Sequence, residues 1–476
     1  MFDNLHEECG VFGIYGENDS DVATQAYFAL YALQHRGQET CGIAVNDDGI
    51  IRYHRDIGLV PDVFTRETLE KLGTGNMAIG HVRYSTTGAH TRANAQPLVV
   101  KHIKGTMVLA HNGNLTNSTE LREELEMSGA IFHSTTDTEV MSHIIIRERL
   151  NASSIEMALE SAMNKIEGAY SLVIMSPTKL IAVRDPHGFR PLCMGKLGDS
   201  IIFSSETCAL DSLGAELIRE IDPGEIVIVN KEGVRSIRTH CNKGSATCVF
   251  EFVYFARPDS IISGASVHKA RRRAGAILAQ EHPVEADVVI GVPDSGLDAA
   301  IGYSQKSGIP YGLGFIKNRY IGRTFIQPTQ SQRENSVRIK LNAVADTVNG
   351  KRVVLIDDSI VRGTTSARIV NLLREAGATE VHMRVSAPPF LHPCYFGTDI
   401  DSRENLIACK YTVPEIAKQI GVDSLGYLSI EGVENIAQGA TCQFCTACFT
   451  GNYPVAEPRK VGKSKFERKI GTGKGK

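Results

Sequence analysis

Through the first half of the chain, apolar residues come in short runs separated by polar and Gly-rich turns. Cys9 to Tyr15, Ile43 to Val45, Met77 to His81, Met107 to Ala110, Tyr170 to Met175, Leu180 to Arg184 and Ile226 to Val229 have the length and content of strands. Val22 to Gln34 instead spaces its apolar residues as one face of a helix, and the loop His35-Arg36-Gly37-Gln38 follows. Ser118 to Glu126 opens on a capping residue and predicts a second helix. Strands that follow one another without regular helical crossovers indicate an α+β sandwich.

After about residue 260 the rhythm changes. Val267 to Gln280 reads as a helix, Asp287 to Val292 as a short apolar strand, and Leu297 to Ser307 as a helix. Val353 to Ile356 is another apolar strand, a helix runs on to Glu375, Gly377 ends it, and Val381 to Val385 is a third strand. Strands alternating with helices predict a parallel α/β sheet.

A chain of 476 residues is too long for one ordinary domain. The change of rhythm sets a soft boundary between residues 235 and 260, with no internal repeat on either side. The tail from Arg459 to Lys476 is rich in Lys and Gly and reads as a solvated end. The balance of 51 basic against 54 acidic residues, net −3, gives no reason to expect nucleic acid. No apolar run reaches membrane-spanning length. Residues 1–8 carry three acids and no Lys or Arg, unlike a secretory signal. A cytoplasmic location is therefore expected, and there 11 Cys point to chemistry or metal rather than disulfides.

The segment Val353 to Ser366 carries the strongest local chemistry. A buried strand ends in Asp357-Asp358, and Ser359-Ile360-Val361-Arg362-Gly363-Thr364-Thr365 leads into a helix. Backbone N–H groups and two hydroxyls at a helix start form an anion site. Acids at the carboxyl end of a parallel strand face the ligand crevice of an open sheet. Paired carboxylates there suit ribose hydroxyls and a Mg2+-bound diphosphate.

Cys9, with eight residues before it, invites a different chemistry. Trimmed to the N-terminus, it would carry its own base, an α-amine of pKa about 8 beside a thiol of about 8.5. Such an amine takes the thiol proton without a His or Lys partner. Three segments follow in order: His81-Val82-Arg83-Tyr84-Ser85-Thr86, His111-Asn112-Gly113-Asn114 and Thr136-Asp137-Thr138-Glu139.

Cys442, Cys445 and Cys448 form a C-x2-C-x2-C run that needs remote partners, with Cys248 and Cys394 as candidates. Spacing alone leaves Cys442 an equal candidate, and from the residues themselves the group held is Zn2+ on four thiolates. Cys41, Cys193, Cys208, Cys241 and Cys409 read as apolar fillers.

The Asp357–Thr365 segment resembles the phosphoribosylpyrophosphate (PRPP) loop of type I phosphoribosyltransferases. Gly291-Val292-Pro293-Asp294-Ser295-Gly296 resembles their diphosphate loop. Lys317 to Lys340, with Lys317, Arg319, Arg323, Arg333, Arg338 and Lys340, resembles their mobile lid. Cys9 and the three segments after it resemble an N-terminal-nucleophile glutaminase. Both resemblances in this order are similar to the glutamine PRPP amidotransferase family, over nearly the whole chain to about residue 453.

That resemblance implies a propeptide at 1–8, a four-layer glutaminase sandwich at 9–240, a phosphoribosyltransferase domain with the cysteine cluster at 241–455 and a basic tail at 456–476. It implies Cys9 as nucleophile, Asn112 and Gly113 as oxyanion hole, and Arg83 and Asp137 as clamps on the glutamine carboxylate and ammonium, with His81, Tyr84 and Thr86 nearby. It implies PRPP binding by Asp357, Asp358, Ser359, Arg362, Gly363, Thr364, Thr365, Lys317 and Arg319, and Mg2+ at Ser295, Asp357 and Asp358. One branch of the family holds a [4Fe–4S] cluster, and its pattern matches Cys248, Cys394, Cys445 and Cys448. The implied reaction makes 5-phospho-β-D-ribosylamine, glutamate and diphosphate at the first step of purine synthesis. Purine nucleotide feedback and a homotetramer are implied as well. The competing readings are a PRPP- and nucleotide-sensing regulator, and another glutaminase-coupled synthase, which would lack the Asp357–Thr365 loop.

Overall fold

The computed structural model describes residues 9–84, 91–318, 341–398, 400 and 402–459, without the side chains of 17–19. Two antiparallel sheets form the first half. The seven-stranded sheet runs Glu216–Glu220, Cys193–Leu197, Ser200–Ser204, Gly10–Ser20, Gly75–Arg83, Thr40–Asp47, Ile50–Ile57. The six-stranded sheet runs Gly233–Ile237, Ile226–Asn230, Leu180–Arg184, Gly168–Met175, Gly105–Leu115, Leu98–His102.

The two-residue repeat of a strand divides each of these sequences between two cores. Val11, Ala44, Met77 and Ile79 meet Val108, Ala110, Val173 and Ala182 between the sheets. The alternate residues Phe12, Ile14, Ile43, Val45 and Ala78 pack outward against helices Val22–Ala32 and Thr207–Leu213. Leu109, Leu172 and Ile174 do the same on the other side, beneath helices Asp137–Asn151 and Ile155–Met163. The result is the expected four-layer α/β/β/α sandwich. Helix Val22–Ala32 starts where Asp21 Oδ1 accepts the Thr24 amide at 3.1 Å.

The second half holds a parallel sheet in the order Val288–Gly291, Arg352–Asp357, Glu380–Val385, Ser424–Tyr427. Helices Val267–Glu281 and Gly296–Ser307 cover one face through Ala270, Ala274, Ala299 and Tyr303. Helices Thr364–Glu375 and Val413–Ile420 cover the other through Ile369, Val370, Leu373 and Ile416. Coverage of both faces is what an all-parallel sheet requires.

Some expectations change. The helix at Ser118–Met127 has Asn117 as its N-cap, not Ser118, and Asn117 makes no side-chain capping bond. Cys41, Cys193 and Cys208 are buried as fillers should be, but Cys241 is half-buried and Cys409 is exposed. The Cys409 thiol donates instead to the Leu391 carbonyl at 3.2 Å.

Candidate active sites

Register places the first group of residues. Gly10 pairs with Val82 and Val11 with His81, so the same antiparallel register carried one residue back sets Cys9 opposite Arg83. Cys9 shares the inward face of its strand with Val11, Arg83 shares that of Ile79, and Asn112 that of Val108 and Ala110. Cys9, Arg83 and Asn112 therefore gather between the two sheets at one end of the sandwich. All three are buried. The Cys9 thiol donates to the Tyr84 carbonyl at 3.4 Å.

Asn112 is fully buried, and neither its Oδ1 nor its Nδ2 has a hydrogen-bond partner among the described residues. Leaving an amide so placed costs about 1–3 kcal/mol, so the position is kept for something other than stability. Gly113 follows at φ +139°, where a Cβ would stand 2.2 Å from the Ala169 carbonyl oxygen. Only Gly fits there.

Asp137 begins helix Asp137–Asn151 and is buried. Its Oδ2 accepts the Leu115 amide at 3.0 Å, and its Oδ1 faces His111 Nδ1 at 3.5 Å. Burial pushes this carboxyl up, but the His111 ring and the Leu115 and Thr138 N–H groups outweigh it and hold the group below the usual carboxylate range. His81 meets the His111 carbonyl through Nε2 at 2.9 Å. Burial, with the nearby Arg83 and His111, drives the His81 ring down to about 3, so it is neutral near pH 7. Thr86 lies outside the described residues.

The second group sits at the carboxyl ends of the parallel strands. Asp357 is the last residue of strand Arg352–Asp357, and Gly363, at φ +86°, caps helix Thr364–Glu375. Ser359 Oγ donates to Asp358 Oδ1 at 2.5 Å, and Ser295 Oγ donates to Asp358 Oδ2 from the neighbouring loop. Gly296 allows that approach, since a Cβ would lie 2.4 Å from the Ile356 carbonyl oxygen. Both acids are buried. Burial, and then Asp358 beside it, raise the Asp357 carboxyl well above its ordinary value. Burial also raises Asp358, against the pull of Ser295, Ser359 and the Arg271 guanidinium. Two buried carboxylates among hydroxyls form a hard oxygen donor set that fits Mg2+. The Lys317 ammonium reaches Asp294. Arg319, Arg323, Arg333, Arg338 and Lys340 lie outside the described residues.

A family profile for a glutamine amidotransferase domain matches residues 81–212, and one for a phosphoribosyl transferase domain matches residues 263–424. An amidophosphoribosyltransferase of Methanocaldococcus jannaschii is 52% identical over 94% of this chain and 98% of its own length. The Bacillus subtilis amidophosphoribosyltransferase is 50% identical over 95% of each chain. The chain belongs to the amidophosphoribosyltransferase family. A solved structure of glutamine PRPP amidotransferase from B. subtilis, complexed with ADP and GMP, superposes with a TM-score of 0.88 at 48% identity, covering 95% of this chain and 99% of that one. As a family member the chain is a glutamine amidotransferase joined to a glycosyltransferase of purine biosynthesis, with glutamine and PRPP as substrates.

The fold also brings four cysteines together. Cys248, Cys394, Cys445 and Cys448 line one cavity with Phe189, Phe250, Phe390, Phe396, Thr398, Ala447 and Tyr453, while Cys442 lies outside that lining. Burial pushes the Cys445 thiol up to about 12, with Cys394 adding to it. Burial raises Cys448 as well, and Cys394, Cys248 and Cys445 each add to the rise. Four cysteines in one apolar cavity, with burial holding Cys248, Cys445 and Cys448 in the thiol form, suit a group that binds them as thiolates and displaces their protons. Among the described residues, no three His, Cys, Asp or Glu side chains close on a single metal position. No described helix is long and apolar enough to cross a membrane.

Sequence reasoning passed over the charged residues behind Cys9. Arg36, Glu206 and Glu251 are all buried, and Arg36 Nε donates to the Cys9 carbonyl at 3.0 Å. Arg36 stood in a stretch read as a loop. The only signal was Glu251 itself, an acid inside an otherwise apolar and aromatic run.

Proposed function

We propose that the chain, freed of residues 1–8, hydrolyses glutamine at Cys9 and delivers the ammonia to PRPP within the same molecule. The Cys9 α-amine takes the thiol proton as sulfur attacks the glutamine side-chain amide. Asn112 Nδ2 and the Gly113 N–H donate to the oxyanion, worth about 3–4 kcal/mol for one such donor. The amine returns the proton to the leaving ammonia, and water then releases glutamate from the thioester. Arg83 grips the glutamine carboxylate as a fork and Asp137 its ammonium, with His81 and Thr86 beside them.

Ammonia attacks C1 of PRPP, diphosphate leaves, and 5-phospho-β-D-ribosylamine forms. Asp357 and Asp358 face the ribose. Ser359, Arg362, Gly363, Thr364 and Thr365 bind the 5-phosphate, and Lys317 and Arg319 the diphosphate. Ser295, Asp357 and Asp358 would hold Mg2+, which when bound neutralises charge on the leaving diphosphate.

The cavity cysteines Cys248, Cys394, Cys445 and Cys448 would hold a [4Fe–4S] cluster as a structural group. Zn2+ held by the same four thiolates is the rival. Purine nucleotides act as feedback inhibitors in this reading, which the ADP and GMP bound by the B. subtilis relative support. The working form is a cytoplasmic homotetramer.

The observation that carries the reading is Asn112, a buried amide with both polar atoms unpartnered among the described residues, on the face that Cys9 shares. The test is N-terminal mass analysis of active protein beside an assay with glutamine and PRPP. Diphosphate release that requires glutamine, from a chain beginning at Cys9, is the expected result. PRPP binding without release would sink the reading in favour of a sensor.

A further inference from the structure

Behind the nucleophile lies a buried ion network that crosses from one half of the molecule to the other. Arg36 Nη1 reaches Glu206 Oε1 at 2.5 Å and Glu251 Oε2 at 2.9 Å, while Nη2 reaches Glu251 Oε1 at 2.8 Å. Its remaining nitrogen, Nε, is the one that holds the Cys9 carbonyl. Glu251 starts the π-helical turn Glu251–Phe255, beyond the last strand of the sandwich. Glu251 Oε1 also accepts Arg190 Nη1 at 3.4 Å. Arg190 in turn holds the Phe396 carbonyl through Nη2 at 2.8 Å and Nε at 3.2 Å. Phe396 lines the cysteine cavity, and its amide donates to Cys394 Sγ at 3.4 Å. Arg36, Arg190, Glu206 and Glu251 carry two charges of each sign, and all are buried.

We infer that Glu251 is a positioning residue for Cys9, acting through Arg36. The inference rests on the reading of Cys9 as an N-terminal nucleophile. Once residue 9 is terminal, no preceding peptide bond restrains it, and the sheet ladder begins only at Gly10. Its carbonyl is then the backbone handle nearest the reacting atoms, and Arg36 Nε holds that handle. A guanidinium is rigid and planar, so fixing two of its nitrogens on a carboxylate fixes where the third points. Glu251 supplies that carboxylate. Because Arg190 shares it, a shift of the chain around Phe396 in the cysteine cavity reaches Cys9 through two guanidinium groups.

Glu251→Gln keeps the shape and removes half of the bidentate grip. In the processed enzyme, kcat for glutamine hydrolysis should fall about 10- to 100-fold, with KM for glutamine within about threefold. Ammonia-dependent synthesis from PRPP should stay within about twofold of wild type. Arg36→Lys, which keeps the charge and loses the fork, should reproduce the kcat loss. The double variant should be no slower than the slower single one, as expected for two residues acting in series. Wild-type kcat in Glu251→Gln overturns the inference. So does parallel loss of the glutamine- and ammonia-dependent reactions, or an additive double variant. If Glu251→Gln does not fold, Arg36→Lys decides alone, by a fall in kcat at unchanged KM or its absence. Cys9→Ala in the same assay keeps the two readings apart, since glutamine hydrolysis by that variant would remove the nucleophile and leave Glu251 with nothing to position.

Discussion

Asp137 Oδ2 accepts the backbone N–H of Leu115 at 3.0 Å, which ties the start of one helix to the end of the strand that carries Asn112 and Gly113. The proposed ammonium clamp and oxyanion hole are thereby parts of one rigid unit. Asp137→Asn keeps an acceptor for Leu115 and loses the charge. KM for glutamine should rise about 10- to 100-fold, the worth of one charge-assisted hydrogen bond, with ammonia-dependent synthesis unchanged. Steady-state kinetics with each nitrogen donor checks it.

Gly113→Ala forces a side chain into a left-handed position against the Ala169 carbonyl. The strand must shift, and with it the proposed N–H donor. Glutamine kcat should drop about 100- to 1,000-fold. A variant that folds and keeps full glutaminase rate would exclude Gly113 from the oxyanion hole.

His81 gives a pH prediction. Its folded value of about 3 lies below the unfolded value of 6.5. Above pH 6.5 neither state is protonated and His81 adds no pH dependence. As the pH falls below 6.5 the unfolded chain takes up a proton that the fold refuses, so stability is lost until about pH 3. At pH 5 the loss is about 2 kcal/mol. Urea unfolding at pH 7.5 and pH 5 should show that difference shrinking by a similar amount in His81→Asn.

Asp357→Asn should abolish product formation from PRPP with either nitrogen donor and leave glutamine hydrolysis without PRPP near its wild-type rate. Loss of both would count against two separable sites. Asp357 is buried beside Asp358, so removing one charge relieves repulsion, and the variant should unfold no more easily than wild type.

Cys448→Ser should cost the anaerobically purified protein its iron and its broad visible absorbance, whereas Cys442→Ser should keep both. A colourless wild-type protein containing zinc would refute the cluster.

Local pattern made the main elements legible. Gly10–Ser20, Gly75–Arg83 and Arg352–Asp357 stood out because two-residue alternation or an apolar run marks a strand with at least one buried face. The strands Ile50–Ile57, Glu216–Glu220 and Gly233–Ile237 did not, because they lie at sheet edges with mostly exposed or half-exposed residues. Cys9, Arg83, Asn112 and Asp137 were legible as a set of motifs. Arg36, Glu206, Arg190 and Glu251 were not, since Arg36 and Glu251 stand 215 residues apart and no local pattern couples them. A buried ion pair shows itself in sequence only as two polar residues where apolar ones are due.

The carboxylate shared by Arg36 and Arg190 also governs how far the two halves of this gene are modular. Severing the chain after residue 240 would part both guanidinium groups from Glu251 and strip Arg190 of the Phe396 carbonyl. A glutaminase half transplanted onto a foreign transferase would leave Arg190 without its acid and Arg36 with Glu206 alone, at a cost of about 3–5 kcal/mol for each broken buried pair. Hybrid genes assembled from relatives should therefore succeed only where the receiving half offers an acid at this one place.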